Sequence, residues 1–101
     1  MDSQARFEER MRALRKGFVA GLPARLATMR AALRADDRAT LQHEAHRLAG
    51  TGVSYGLPQL TSWGREVEKK VKGGTSLLAL ADDLERFSAL IASVGPVELT
   101  G

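Results

Sequence analysis

The stretch AHRLAGTGVSYGLPQLTSWGREVE, residues 45 to 68, carries two apolar stripes at helical spacing with a glycine-containing turn between them. In the first stripe, Ala45, Leu48 and Gly52 recur every three or four residues, which indicates the buried face of a helix. The second stripe begins just before Pro58, a residue suited to the first turn of a helix. The stretch therefore predicts two consecutive helices joined by a short turn.

The same periodicity continues on both sides of this pair and predicts four helices. No segment shows the alternation typical of a half-buried strand. Because the connections are short, sequential helices should pack antiparallel, so we predict an all-α fold, an antiparallel (up-and-down) four-helix bundle. The four stripes are Phe7, Met11, Leu14, Phe18, Leu22, Leu26, Met29 and Leu33; Leu41, Ala45, Leu48 and Gly52; Leu57, Leu60, Gly64, Val67 and Val71; and Leu77, Leu80, Leu84, Phe87 and Ile91.

Proline, glycine and capping residues predict where these helices begin and end. Pro23 cannot donate to the carbonyl four residues earlier, so we expect the first helix to be split or kinked there. Asp36 or Asp37 is expected to cap the second helix. The other expected boundaries are an end of the second helix near Gly56, an end of the third at Gly73-Gly74, a cap for the fourth at Thr75 or Ser76, and a stop at Gly95-Pro96.

Length and composition favour one domain. A chain of 101 residues can bury a modest core without a disulfide or a metal. It contains no cysteine, which excludes disulfide frameworks and cysteine-based zinc sites. We expect a single domain over residues 1–101, with its core at about 5–92 and a loose C-terminal tail at 95–101.

The charge pattern and hydropathy exclude some locations and partners. The sequence has neither an apolar run long enough to cross a membrane nor a secretory signal, so we expect no membrane association and a cytoplasmic location. The net charge is +3 and the pI about 9.8. Because basic and acidic residues are interspersed, this excess is only a weak argument for nucleic acid.

His46 is the residue of the opening stretch that can do chemistry at neutral pH. Its helical neighbours are Gln42, His43, Ala49 and Gly50, so the surface beyond it is nearly bare. It lies at the edge of the apolar stripe and should be reachable by another molecule. Glycine costs about 1 kcal/mol relative to alanine inside a helix, so the bare backbone at Gly50 should serve a purpose.

Two other interpretations of His46 are open on these grounds. It could be an ordinary boundary histidine with no chemical role. His43 and His46 could also bind a metal as an i, i+3 pair with one more ligand, but no third ligand is evident in the sequence.

The stretch from residue 45 to 68 resembles the histidine-containing phosphotransfer (HPt) domain family. The family pattern is His-x-Leu-Lys-Gly, then a glycine several residues later, then a helix that opens with an apolar residue. His46, Leu48, Gly50 and Gly56 fall in register with that pattern. With the four-helix periodicity, the resemblance extends over nearly the whole chain.

The resemblance implies a phosphoryl carrier rather than a turnover enzyme. In that family the histidine takes a phosphoryl group from an aspartate of a receiver domain and passes it to another receiver, so His46 would be the phospho-acceptor. The implied partners are receiver domains of response regulators or hybrid histidine kinases in a bacterial-type phosphorelay, bound transiently by a monomer. We expect Mg²⁺ on the receiver, because this chain shows no carboxylate cluster suited to the metal.

The resemblance also implies a residue that orients the imidazole. Attack requires a neutral ring with Nε2 unprotonated and the Nδ1–H held by a partner. In relatives, a Glu or Gln on the next helix holds that proton, and the corresponding residue here is Glu68, beside Val67 on the core stripe. The alternative for Glu68 is a solvated surface carboxylate.

The sequence departs from the family pattern at Ala49, where a lysine is usual. That lysine can steady the phosphate charge, so its loss calls for a substitute or marks a degenerate domain. The basic residues nearby are Arg47, Arg65, Lys69 and Lys70. Arg65 and Lys69 are the better candidates because they flank the orienting carboxylate.

Small and aromatic residues near the motif have two interpretations each. For Gly50 we favour exposure next to the histidine, leaving room for a receiver. For Gly52 we favour close packing between the second and third helices, with Gly64 on the facing helix. Trp63 should lie in the core, whereas an exposed tryptophan would be a candidate interface anchor.

Two other classes of protein compete with the phosphocarrier interpretation. One is a helical nucleic-acid-binding module, whose recognition helix would run from Arg65 to Lys72. The other is a structural or dimerising bundle in which His46 is incidental.

Overall fold

A computed structural model describes residues 3–100, with side chains over residues 3–94. Over this range the chain forms four α-helices and two 3₁₀ turns and contains no strand, which confirms the predicted all-α bundle. The helices are α1 (Ser3–Arg34), α2 (Arg38–Thr51), α3 (Pro58–Lys72) and α4 (Ala81–Thr100), with 3₁₀ turns at Val53–Tyr55 and Leu77–Leu80. No helix in the described part is long and apolar enough to cross a membrane.

The predicted stripes of α2, α3 and α4 form the core, but that of α1 does so only in its C-terminal half. Leu22 and Met29 are fully buried, whereas Phe7 and Leu14 are exposed, so the prediction is wrong for the first half of α1. The reason is length. α1 has 32 residues, about 48 Å at 1.5 Å per residue. α1 packs against α2 and α4, which have 14 and 20 residues, so they cannot cover all of it.

Pro23 does not split α1, which runs continuously from Ser3 to Arg34. A proline removes one hydrogen bond and costs about 3 kcal/mol inside a helix. Here Leu22 and Leu26 are buried next to it, and their burial offsets that cost. The predicted split is therefore wrong.

Asp37 is the predicted cap of α2 that the structure confirms. Its carboxylate accepts hydrogen bonds from the Thr40 hydroxyl at 2.6 Å and the Thr40 backbone N–H at 3.1 Å. These two bonds lower the pKa of Asp37, since they favour its charged form. The cap fixes where α2 starts and so sets the rotation of its later residues.

The other end of α2 differs from the prediction. The helix ends at Thr51, and a 3₁₀ turn then leads to Gly56, whose φ of 75° is left-handed. The cause is a side chain of α3: the Val53 N–H donates to the Thr61 hydroxyl oxygen at 2.9 Å. That N–H is thereby taken out of the α-helical ladder.

The observed boundaries of the last two helices agree in part with the predicted ones. α3 ends at Lys72 with Gly73 as its C-cap, as predicted. Ser76 makes no side-chain cap and precedes a 3₁₀ turn, so α4 begins only at Ala81. α4 continues past Gly95-Pro96 to Thr100, so the predicted stop is wrong. Pro96 removes only one ladder bond. The predicted loose tail at 95–101 concerns residues outside the described side chains.

Glycines bring α2 and α3 close together. A Cβ on Gly64 would lie 2.6 Å from the carbonyl oxygen of Ala45 and from the backbone nitrogen of Ala49. A Cβ on Gly52 would lie 2.7 Å from the backbone nitrogen of Thr61, so the packing predicted for Gly52 is confirmed. This approach lets a side chain of α3 reach the outer face of α2.

Trp63 belongs to the core, as predicted. Its ring is stacked on that of Phe87 at a centroid distance of 4.7 Å. The indole N–H donates to the backbone carbonyl of Asp83 at 2.8 Å. Trp63 therefore ties α3 to α4 and cannot serve as an interface anchor.

Candidate functional site

The structure brings His46 and Glu68 together across the α2–α3 contact. Nδ1 of His46 lies 2.8 Å from Oε2 of Glu68. The His46 side chain is 71% exposed, whereas that of Glu68 is 16% exposed. The carboxylate thus holds the ring from the wall of the bundle and leaves Nε2 to solvent. In this arrangement the Nδ1–H donates, which is the tautomer that keeps the Nε2 lone pair free.

Lys72 is a member of the site that the sequence analysis missed. Its Nζ lies 3.2 Å from the same Oε2 atom of Glu68. The signal was available, because a Glu followed four residues later by a Lys is a favourable helical pair. Burial raises the pKa of Glu68, but hydrogen bonds and charges from Lys72 and His46 outweigh this, so the pKa lies below its usual value. Glu68 is therefore ionised at neutral pH.

His46, Glu68 and Lys72 line one open groove on the surface of α2 and α3. The groove has a volume of about 390 Å³. Arg65 and Lys69, the predicted substitutes for the missing lysine, line an adjoining groove that shares only Glu68 and Lys72 with the first. The full lining of the first groove is Ala39, Gln42, His43, His46, Glu68 and Lys72.

Arg47 and Lys70 are engaged elsewhere. Nη1 of Arg47 lies 3.6 Å from the carboxylate of Glu44, which also lies 3.7 Å from Arg25 of α1. Arg47 therefore lies on the α1 side of α2, away from the groove. Lys70 donates to the buried carboxylate of Asp83 at 3.1 Å and ties α3 to α4.

Two of the four cations on the helix of the nucleic-acid alternative, Arg65 to Lys72, are paired with carboxylates. Lys70 is held by Asp83 and Lys72 by Glu68. A recognition helix needs cations that can neutralise phosphates. The pairing with the buried carboxylate of Asp83 removes Lys70 from the cations that this alternative could use.

Gly50 and Ala49 have opposite surroundings. A Cβ on Gly50 would meet nothing within 4 Å, and the residue is exposed as predicted. Ala49 is half-buried, and its backbone is what a Cβ on Gly64 would strike. The position usually held by lysine thus lies at a close contact between α2 and α3, while bare surface follows directly after it.

The structure gives no support to a metal site at the histidine pair. Among the described residues, no group of three or more His, Cys, Asp or Glu side chains is placed to hold a metal ion. The Nδ1 atom of His46 is already engaged by Glu68. The metal alternative for His43 and His46 therefore has no support in this part of the chain.

Replacing Glu68 by alanine is expected to change the tautomer of His46. Without the carboxylate, nothing holds the proton on Nδ1, and the ring should populate the Nε2–H form. Glutamine can still accept through its carbonyl oxygen, so Glu68→Gln should keep the Nδ1–H form. The ¹⁵N shifts of the neutral imidazole report the two forms directly. An unchanged spectrum in Glu68→Ala would show that Glu68 does not orient the ring.

The fold and site together define a small all-α domain that presents a carboxylate-held histidine on the outside of a four-helix bundle. A family model described as "Hpt domain" matches residues 13–95. The chain belongs to the Hpt domain family. No curated protein and no solved structure gave a match.

Proposed function

We propose that this Hpt domain is a histidine phosphotransfer protein of a cytoplasmic, multistep two-component phosphorelay. His46 accepts a phosphoryl group from the aspartate of one receiver domain and relays it to another response regulator. The observation that carries the proposal is the 2.8 Å contact between Nδ1 of His46 and Glu68 on a ring that is otherwise exposed. This contact supplies the tautomer that nucleophilic attack requires.

The transfer step needs only His46 and the receiver's aspartyl phosphate as reactants. The Nε2 lone pair attacks phosphorus, a P–N bond forms, and the P–O bond to the aspartate breaks. The electron pair of that bond leaves with the receiver's carboxylate. The ring becomes cationic as the bond forms, and the ionised Glu68 stabilises that charge through the Nδ1–H. The reverse sequence passes the group to the next receiver.

Lys72 supports the same step by its position. It lies in the groove with His46 and balances the charge of Glu68. We assign to Lys72 the electrostatic help that a lysine at position 49 gives in relatives. We assign Arg65 and Lys69, which line the adjoining groove, to contact with a receiver rather than with the reacting nitrogen.

Labelling by phosphorylated receivers tests the proposal. The purified chain is incubated with a panel of receiver domains that carry ³²P on their aspartates. We expect at least one receiver to transfer label to the chain, and the label should be acid-labile and base-stable, as a P–N bond is. If no receiver transfers label, or if the label is acid-stable, the proposed function is wrong.

Gly50→Glu is expected to block transfer without unfolding the bundle. The new side chain would project into open space, but it would obstruct a docking receiver and repel the phosphoryl group. The measurement is single-turnover transfer from a phosphorylated receiver, with circular dichroism to check the fold. Gly50→Ala is the matched control and should transfer at close to the normal rate. Normal transfer by the Glu variant would show that the receiver does not dock on this face.

A further inference from the structure

Lys72 is the last residue of α3, and Gly73 is the C-cap of the helix. The carbonyl groups of a final helical turn have no N–H partner within the helix, so such a turn frays easily. Lys72 nevertheless holds its Nζ atom 3.2 Å from Oε2 of Glu68. Its place in the groove therefore depends on what fixes the end of α3.

Backbone bonds from the following loop satisfy part of this last turn. The Gly74 N–H donates to the carbonyl oxygen of Val71 at 3.2 Å, and the Thr75 N–H donates to that of Lys70 at 3.0 Å. The chain can turn back in this way because Gly74 has a left-handed φ of 84°. These bonds tie the turn to the loop that leaves it, but they do not tie it to α2, the helix that carries His46.

Arg38, the first residue of α2, reaches across to the last turn of α3. Its Nη1 donates to the carbonyl oxygen of Val71 at 2.8 Å, and its Nη2 donates to that of Thr75 at 2.7 Å. A planar guanidinium can span two acceptors, whereas a lysine has a single nitrogen to offer. The positive charge also lies at the negative end of the α3 dipole. Arg38 therefore clamps the end of α3 and the loop after it to the start of α2.

The clamped carbonyl lies directly before Lys72 in the chain. The carbonyl carbon of Val71 is bonded to the backbone nitrogen of Lys72, so the bond from Arg38 acts one rigid peptide unit away from the Cα atom of Lys72. Ala39, the residue after Arg38, lines the groove together with Lys72. The start of α2 and the end of α3 thus meet at the groove, and Arg38 joins them there.

We propose that Arg38 is a positioning residue of the phosphotransfer site, whose clamp on the last turn of α3 holds Lys72 beside Glu68 in the groove. This inference rests on the proposed function and on the electrostatic help assigned there to Lys72. Arg38 acts through Lys72 and has no step of its own in the transfer. When the clamp is lost, the last turn frays and Lys72 is no longer held where it can steady the phosphoryl group.

A double-mutant cycle between Arg38 and Lys72 tests this role. Single-turnover transfer is measured at a saturating concentration of the receiver that labels the wild-type chain. Arg38→Gln and Lys72→Gln should each lower the rate about two- to fivefold, which is the effect of one exposed charge. The double variant should be no slower than Lys72→Gln alone, because both substitutions remove the same contribution.

Arg30→Gln is the matched control. It also replaces by glutamine an arginine that joins two helices, but Arg30 pairs with Glu85 and so links α1 to α4. This variant should transfer at the wild-type rate. If Arg38→Gln does not fold by circular dichroism, Arg38→Lys takes its place in the cycle, since it keeps the charge but cannot span both carbonyls.

Amide hydrogen exchange measures the clamp independently of phosphotransfer. Exchange at Gly74 and Thr75 should be at least about threefold faster in Arg38→Gln than in the wild type, and unchanged in Lys72→Gln. Unchanged exchange in Arg38→Gln would show that the turn does not need the clamp.

The transfer rates separate a wrong positioning role from a wrong function. If the effects of the two single variants multiply in the double variant, or if Arg30→Gln is slowed as much as Arg38→Gln, Arg38 does not act through Lys72. The proposal is then overturned while the function stands. If no receiver labels the wild-type chain, the function fails and the positioning role with it.

Discussion

Replacing His46 by glutamine is expected to abolish phosphoryl acceptance from every receiver that labels the wild-type chain. Glutamine has an amide in place of the nucleophilic ring nitrogen, so no P–N bond can form at this position. We expect the transfer rate to fall at least about a thousandfold, equivalent to roughly 4 kcal/mol in the barrier. Because the His46 side chain is 71% exposed, the fold should survive. The measurement is single-turnover transfer of ³²P.

His43→Gln is the matched control for this prediction. His43 lies on the same helix and lines the same groove, but the hydrogen bond to Glu68 belongs to His46. His43→Gln should therefore keep most of the transfer activity. Label that persists in His46→Gln and disappears in His43→Gln would reassign the acceptor to His43.

The core of the bundle could be predicted because it depends on local spacing. The stripes of α2, α3 and α4 recur every three or four residues, and residues such as Leu48, Val67 and Phe87 are buried as predicted. The cap at Asp37 could be predicted for the same reason, since its bonds reach only to Thr40. Features that depend only on residues close together in the chain can therefore be predicted from the sequence.

The exposed half of α1 could not be predicted in this way. Phe7 and Leu14 continue the apolar spacing of Leu22 and Met29, so the pattern predicts burial for all four. Whether they are buried depends on how far α2 extends alongside them, which is a tertiary property. The helix break predicted at Pro23 and the helix end predicted at Pro96 were wrong for a related reason. Pro23 and Pro96 each remove one hydrogen bond, and a helix that is continued on both sides can tolerate that loss.

The candidate site was predictable only in part. The periodicity placed His46 at an exposed edge, and the family resemblance placed Glu68 opposite it. Nothing local to either residue specifies the 2.8 Å contact between them, because it depends on how closely α2 approaches α3. Lys72 could have been found from its spacing to Glu68. The partners that hold Arg47 and Lys70 away from the groove are again tertiary.

Gly64→Ala is expected both to destabilise the protein and to weaken the contact between His46 and Glu68. The new Cβ would lie 2.6 Å from two backbone atoms of α2, the carbonyl oxygen of Ala45 and the nitrogen of Ala49. Backbone atoms cannot rotate away as a side chain can, so the two helices must separate. Overpacking of this kind costs about 1–3 kcal/mol of the free energy of unfolding. Urea denaturation measures that loss.

Gly50→Ala is the control that isolates the α2–α3 approach as the cause. It is the same substitution within a helix of the same bundle, but its Cβ would meet nothing within 4 Å. Relief of the glycine penalty should stabilise this variant by up to about 1 kcal/mol.

In Gly64→Ala, by contrast, the separated helices should weaken the bond from His46 to Glu68, so the ¹⁵N shifts should move toward the Nε2–H tautomer. If the two variants unfold at the same urea concentration, then the two helices do not meet as closely at Gly64 as the structure shows. Their approach would then not be what fixes the orientation of His46.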